Sequence, residues 1–206
     1  MAGDLEVRTP TRRDRRAAVA VLAQALLDDP GWTSVVPDRG RRGVVLHGLL
    51  AAVVADSGSH ARVAVRRGAV LGAAVWQPPG RFPMTWWRQA RTAPRIVLPA
   101  AVLGREVRAV ARLGAAVDAA FPQKAVRYLQ VLGVSPDAQR QGVGAALLRE
   151  GLDRADAARE ETYLETAEED NVAYYQHWGF GLEAPGGPIS DGGPVMWRML
   201  RPPTTR

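Results

Sequence analysis

Apolar residues recur at intervals of three and four in some stretches of this chain and at alternate or successive positions in others, and the change of period marks out its elements. Leu5 to Arg8 predicts a short first strand. Thr9, Pro10 and Thr11 then read as a turn, with Asp14 as a helix cap. Val19, Leu22, Ala23, Leu26 and Leu27 form one helical face, which Asp28-Asp29-Pro30 ends. Gly31 to Asp38 predicts a loop carrying Trp32, and Arg42 to Ala55 a second helix. Arg62 to Val65 and Val70 to Trp76 predict strands two and three, joined by a hairpin turn at Arg66-Arg67-Gly68-Ala69.

After the break at Gln77-Pro78-Pro79-Gly80, helical spacing resumes through Ile96 to Val117, interrupted at Pro94 and Pro99. Residues 82–118 therefore predict a helical insertion between strands three and four. Its arginines (Arg88, Arg91, Arg95, Arg105, Arg108, Arg112) fall mostly three or four apart, as a solvated face would, although a lid is the sharper reading. Trp86 and Trp87 predict either a dimer face or a pocket wall.

The stretch from Tyr128 to Phe180 carries the chemistry. Tyr128 to Val134 is a continuous β-prone run stopped by Pro136, which predicts a strand buried on both faces. Gln139-Arg140-Gln141-Gly142-Val143-Gly144 follows, and Val143, Leu147, Leu148, Leu152 and Ala155 then mark a helix. Its glycines sit where unpaired N–H groups and the helix dipole attract phosphate. Thr162 to Thr166 predicts strand five, and Asn171 a cap for the helix Val172 to Trp178 before Gly179-Phe180. Gly186 to Gly193 predicts a long mobile loop. Val195 to Leu200 predicts a last strand whose hairpin partner lies near Phe180 to Glu183, leaving Pro202 to Arg206 as a tail.

Gln139, Gly142 and Gly144, followed by Asn171, Tyr175 and Gly179-Phe180, resemble two ordered blocks of the GCN5-related N-acetyltransferases (the GNAT family). Leu164-Glu165-Thr166 and the compressed interval from Asn171 to Tyr175 are similar to the puromycin N-acetyltransferase branch. The resemblance implies an α/β (α+β) fold: a single domain over residues 1–206, with a mixed, mostly antiparallel central sheet flanked by helices. Residues 128–180 would be its acyl-CoA and catalytic core. It implies acetyl-CoA as cosubstrate, moved directly to a primary amine of a small molecule or peptide. Backbone N–H groups of Arg140, Gln141, Gly142, Val143, Gly144 and Ala145, beside Gln139, would cradle the pyrophosphate. Main-chain groups of Leu132 and Val134 would pair with the pantetheine arm like an added strand. Tyr175 would be the general acid, in preference to Tyr174 because of its spacing to Gly179-Phe180, and Asn171 would hydrogen-bond cofactor or backbone. Glu165 would take the amine proton directly or through water, or else form a structural salt bridge. A strand bulge would open the cleft.

Composition limits the alternatives. The 206 residues are 47% hydrophobic and lack an apolar run of membrane-spanning length, so a soluble, cytoplasmic protein is expected. The absence of cysteine excludes disulfides and a cysteinyl acyl-enzyme, and His47, His60 and His177 are too scattered to predict a metal site. The net charge of +6 divides into +11 over residues 1–127 and −5 over residues 128–206. The basic half carries no recognisable nucleic-acid motif, so no nucleic-acid partner is expected. Glu168, Glu169 and Asp170 predict an acidic rim that attracts a cationic amine, or a solvated surface. The glycine pattern lacks the third glycine of a dinucleotide fold, which leaves a noncatalytic CoA-binding or regulatory module as the alternative.

Overall fold

A tight turn at Arg67-Gly68 joins β2 (Ala61–Arg66) to β3 (Ala69–Gln77), and β1 (Glu6–Arg8) adds antiparallel to the free side of β2. In a computed structural model, whose described residues are 4–95, 101 and 104–204, this meander grows into one open sheet ordered β1-β2-β3-β4-β5-β8-β6. The later strands are β4 (Arg127–Val134), β5 (Thr162–Thr166), β6 (Gly181–Leu182), β7 (Gly187–Pro188) and β8 (Val195–Arg201). All pair antiparallel except β4 with β5. The result is the expected mixed, mostly antiparallel sheet flanked by helices.

Strand side chains alternate between the two faces, and the helices cover them accordingly. Val63, Val65, Ala73 and Val75 face α1 (Arg12–Ala25) and α3 (Arg39–Ser57), where Leu22, Leu46 and Leu50 are buried. Ala64, Ala74 and Trp76 face the opposite way, into a second core against Leu147, Leu148 and Leu152 of α6 (Val143–Ala157). Gly151 lets α6 approach: a Cβ there would stand 2.0 Å from Trp76 Cε2. The connection from β3 to β4 carries α4 (Trp86–Thr92) and α5 (Val107–Ala120), so a helical insertion lies where the spacing put it. The helical run expected from Ile96, with its break at Pro99, falls partly on 96–100 and 102–103, outside the described residues.

Two irregularities in β4 open the sheet. Val75 pairs with Val131 but Trp76 with Leu129, so Gln130 is an extra residue, a β-bulge. The side chains agree: Leu129 and Leu132, three apart, both face the α6 core, which an unbroken strand forbids. Beyond the bulge β4 leaves β5, the parallel pairing being confined to Arg127 with Thr162 and Tyr128 with Tyr163. A V-shaped gap results.

Several local expectations are corrected. Thr11, not Asp14, caps α1; Asp14 sits three residues on and completes a capping box. The expected loop around Trp32 is a short helix, α2 (Pro30–Val35), because Asp29 caps it and Pro30 presets its first φ. Asn171 does not cap the helix before Gly179. That helix, α7 (Asp170–His177), begins two residues before the expected Val172, so Asn171 lies inside it, and it has no side-chain cap. In the insertion Arg91, Arg95, Arg108 and Arg112 are exposed, but Arg88 is buried and pairs with the buried Asp56 of α3. A solvated face therefore fails at Arg88, which instead pins α4 to α3. The Gly186 to Gly193 loop is ordered by the β7 to β8 pairing and by the Ile189 N–H donating to Pro194 O at 3.0 Å. The tail is tied down at Thr204, whose N–H and hydroxyl donate to Asp156, itself bidentate to Arg201 at 2.7 and 2.8 Å.

Candidate active site

The gap between β4 and β5 leaves backbone groups of β4 without a neighbouring strand. Ser135 N–H donates to Leu71 O at 2.8 Å, and in an antiparallel ladder hydrogen-bonded and non-bonded pairs alternate. Val131 and Gly133 therefore turn their N–H and C=O groups to β3, while Leu132 and Val134 turn theirs to the gap. Next to them the chain turns sharply into α6. Arg140 and Gly142 have φ of 57° and 78°, and Gly142 is the N-cap of α6, with no side chain closing the helix end. Gln141 braces the turn, donating to Asp137 O and accepting from Arg66, each at 2.9 Å.

A cavity of about 570 Å³ lies against these groups. It is lined by Leu132, Val134, Gln139, Arg140, Gly142, Val143, Gly144, Ala145 and Asn171, all anticipated as cofactor-binding, while Gln141 stands behind the turn. The side chain of Val143 belongs to the core, so only its backbone is on offer. Free amides at a helix start, a free strand edge and a cavity of this size fit the pyrophosphate and pantetheine arm of a coenzyme A thioester.

A second cavity, of about 730 Å³, lies on the other side of the bulge between α3, α4, α5 and β4. Its wall is mostly apolar, and Gln130, Tyr128, Glu165 and Asp118 bring polar groups to it. Both oxygens of Glu165 accept phenolic hydrogen bonds, from Tyr128 at 2.7 Å and Tyr163 at 2.8 Å. This replaces the salt bridge considered for Glu165. Burial pushes its carboxyl above the usual range, and the two phenols partly hold it down. The phenols are fixed by packing, since Tyr128 and Tyr163 stack with Phe82 and Phe121 in one aromatic cluster.

Between the two cavities is a smaller space of about 190 Å³, lined by both Glu165 and Tyr175 and by Gln130 at the bulge. Tyr175 also reaches the 570 Å³ cavity; its ring packs on Phe180 at 5.8 Å, and burial pushes its phenol up. The adjacent Tyr174 reaches only the first cavity, its hydroxyl 3.8 Å from where a Cβ on Gly144 would lie. The two neighbours thus face different parts of the cleft. Asn171 donates to Thr166 Oγ1 at 3.4 Å from the first turn of α7. Glu168 lines the first cavity, and neither it nor Glu169 nor Asp170 lines the second, so this rim does not border the 730 Å³ space. Asp118 does, and sequence reasoning missed it. Its one signal was that it is the sole acid between Glu106 and Asp137. Among the described residues no group of three or more histidines and carboxylates could hold a metal, and no helix is long and apolar enough to cross a membrane.

Residues 59–180 match the model of the Acetyltransferase (GNAT) family. Among solved structures, the chain is similar to a Corynebacterium glutamicum protein described as histone acetyltransferase HPA2 and related acetyltransferase. The two are 23% identical with a TM-score of 0.70 over 100% of this chain and 99% of that one. It is also similar to the ribosomal-protein-S18-alanine N-acetyltransferase of Escherichia coli (15% identity, TM-score 0.55, 98% and 96% covered). A third likeness is to a Drosophila melanogaster polyamine N acetyltransferase (15% identity, TM-score 0.58, 97% and 100% covered). At these identities the likenesses show a shared fold.

Proposed function

Because this chain belongs to the GNAT acetyltransferase family, we propose that it moves an acetyl group from acetyl-CoA directly to a primary amine of a small molecule or peptide. The observation that carries the reading is the small space at the bulge, where Glu165 from the acceptor side and Tyr175 from the cofactor side line one volume. Bound there, acetyl-CoA supplies an activated thioester and a thiolate leaving group.

The residues divide the remaining work. Backbone N–H groups from Arg140 to Ala145 hold the pyrophosphate, and the gap-facing groups of Leu132 and Val134 align the pantetheine arm. Glu165 accepts the proton of the incoming ammonium, directly or through one water, so that the nitrogen lone pair can form the new N–C bond as the C–S bond breaks; the second proton, shed by that nitrogen once the bond has formed, passes through water to the departing thiolate. Its raised proton affinity brings it closer to the working range of a base at neutral pH. Tyr175 meets the departing sulfur as a hydrogen-bond donor. Because burial holds that phenol up, it keeps its proton and acts mainly by hydrogen bonding, which places its contribution at the lower end of general acid catalysis. Leu164-Glu165-Thr166 and the short Asn171 to Tyr175 interval support a likeness to the puromycin N-acetyltransferase branch at this block.

The test is a turnover screen of acetyl-CoA against an amine library, read as released thiol and acetylated product. Transfer to at least one primary amine is expected. Tight CoA binding without turnover on any amine would return the chain to a noncatalytic CoA-binding module.

A further inference from the structure

The acceptor cavity is apolar along most of its length and acidic at one end. Leu49, Ala52 and Val53 of α3, Met84, and Val110 and Leu113 of α5 make the apolar part. Among the described residues that line it, Asp118 and Glu165 are the only acids, and the charge of Asp118 is felt at Glu165 and at Tyr128. Asp118 has neither ion pair nor hydrogen bond among the described residues, and burial alone pushes its carboxyl up. A half-buried carboxylate without a partner is at a disadvantage in the free protein that an arriving cation removes. A volume of about 730 Å³ also exceeds what a short alkyl diamine fills, and among the described residues the apolar wall has no further anion for a distal ammonium.

We infer that the acceptor is a monoamine with a bulky apolar substituent: its ammonium is drawn to the end marked by Asp118 and Glu165, its apolar body lies against α3 and α5, and Asp118 decides which amines are taken. This rests on the acetyl-transfer reading above. Asp118 is a positioning residue; it holds the cation near Glu165, which takes the proton.

The experiment compares n-hexylamine with 1,6-diaminohexane, alongside n-butylamine, n-pentylamine and 2-phenylethylamine, as acceptors for the full chain with saturating acetyl-CoA. We expect kcat/KM to climb along the alkyl series by up to about fourfold per methylene, the equivalent of about 0.8 kcal/mol each. The monoamine should exceed the diamine by about tenfold or more, because a buried second ammonium finds no partner. If the diamine is used as well or better, acetyl transfer stands and this inference alone falls. If none of these amines turns over while another amine of the library does, acetyl transfer stands and this inference alone falls; if no amine turns over, both readings fall.

Asp118→Asn tests the residue. KM for hexylamine should rise about tenfold with kcat little changed. The acid limb of the kcat/KM profile should also move to lower pH, since a negative charge that holds Glu165 up is gone. The other groups acting on Glu165 are Tyr128 on β4, Tyr163 on β5 and Arg198 on β8, all untouched by the substitution. A merely structural role would leave that limb in place. An unmoved limb with an unchanged KM in folded protein overturns the assignment of Asp118.

Discussion

Replacing Tyr175 by phenylalanine removes one hydroxyl and leaves the ring on Phe180, so CoA affinity should survive while kcat falls by about 10². Tyr174→Phe, whose ring faces the loop glycines, should keep kcat and act on the KM for acetyl-CoA instead. Steady-state kinetics where chemistry limits turnover separates the two, and full kcat in Tyr175→Phe would remove the general acid. At Glu165 the sign of the pH effect is fixed by its surroundings. Its carboxyl is raised above the ordinary 4.5, so the base form is lost, and kcat/KM falls, as pH drops through that raised value. The phenol of Tyr128 holds the group down, so Tyr128→Phe should shift the acid limb to higher pH. A pH-rate profile that does not move would separate Glu165 from the base step. Tyr175 could be singled out in the sequence by its spacing to Gly179-Phe180, and Glu165 by its place in the Leu164-Glu165-Thr166 strand; both line one small space. Asp118 could not, because one acid in an arginine-rich helix carries no sign of which way it points. Arg88 and Asp56 escaped for the same reason: a buried pair 32 positions apart leaves no periodic trace.

At the scale of elements, the two glycines at the start of α6 should behave differently. Gly142 has φ 78° with open space around a built Cβ, so Gly142→Ala meets backbone strain rather than collision and should cost about 1 kcal/mol of stability. Gly144 lies inside the helix, where a Cβ would make ordinary contacts of 3.5 Å to Val134. Gly144→Ala should keep the fold and instead weaken CoA binding. Urea unfolding and CoA calorimetry on both variants check this; equal stability loss at the two positions would contradict it. Strand and helix order was legible because buried strands and amphipathic helices differ in period. The bulge was not, since one extra residue changes the facing of Leu129 and Leu132 without changing their apolar character. The short helix α2 was missed because two acids, a proline and a glycine read as punctuation, yet Asp29 and Pro30 are also good helix starters.

For the whole molecule, the sheet is two antiparallel groups, β1 to β4 and β5 to β8, joined by a parallel pairing of two register positions. A ligand lying in the gap touches both. At about 100 times its Kd, CoA should stabilise the folded chain by about 2.7 kcal/mol, roughly 5 to 11 °C in Tm for a chain of this size. Thermal melting with and without CoA measures it, and no shift at saturation would mean that the gap is not the site. The charge asymmetry was visible in composition alone. The second cavity was not, because its walls come from α3, α4, α5 and β4, segments far apart in sequence that only tertiary packing brings together.

The alternation along β4 has a consequence for how its amide hydrogens trade with solvent. In the free protein the N–H groups of Val131, Gly133 and Ser135 are shared with β3, so deuterium should enter them only through opening of the sheet. Those of Leu132 and Val134, between them in the chain, look into the gap and should label quickly. Adding CoA should slow Leu132 and Val134 and leave their neighbours where they were. A comb of fast and slow positions within one buried strand, with its fast teeth erased by the ligand, would be read residue by residue in the amide spectrum.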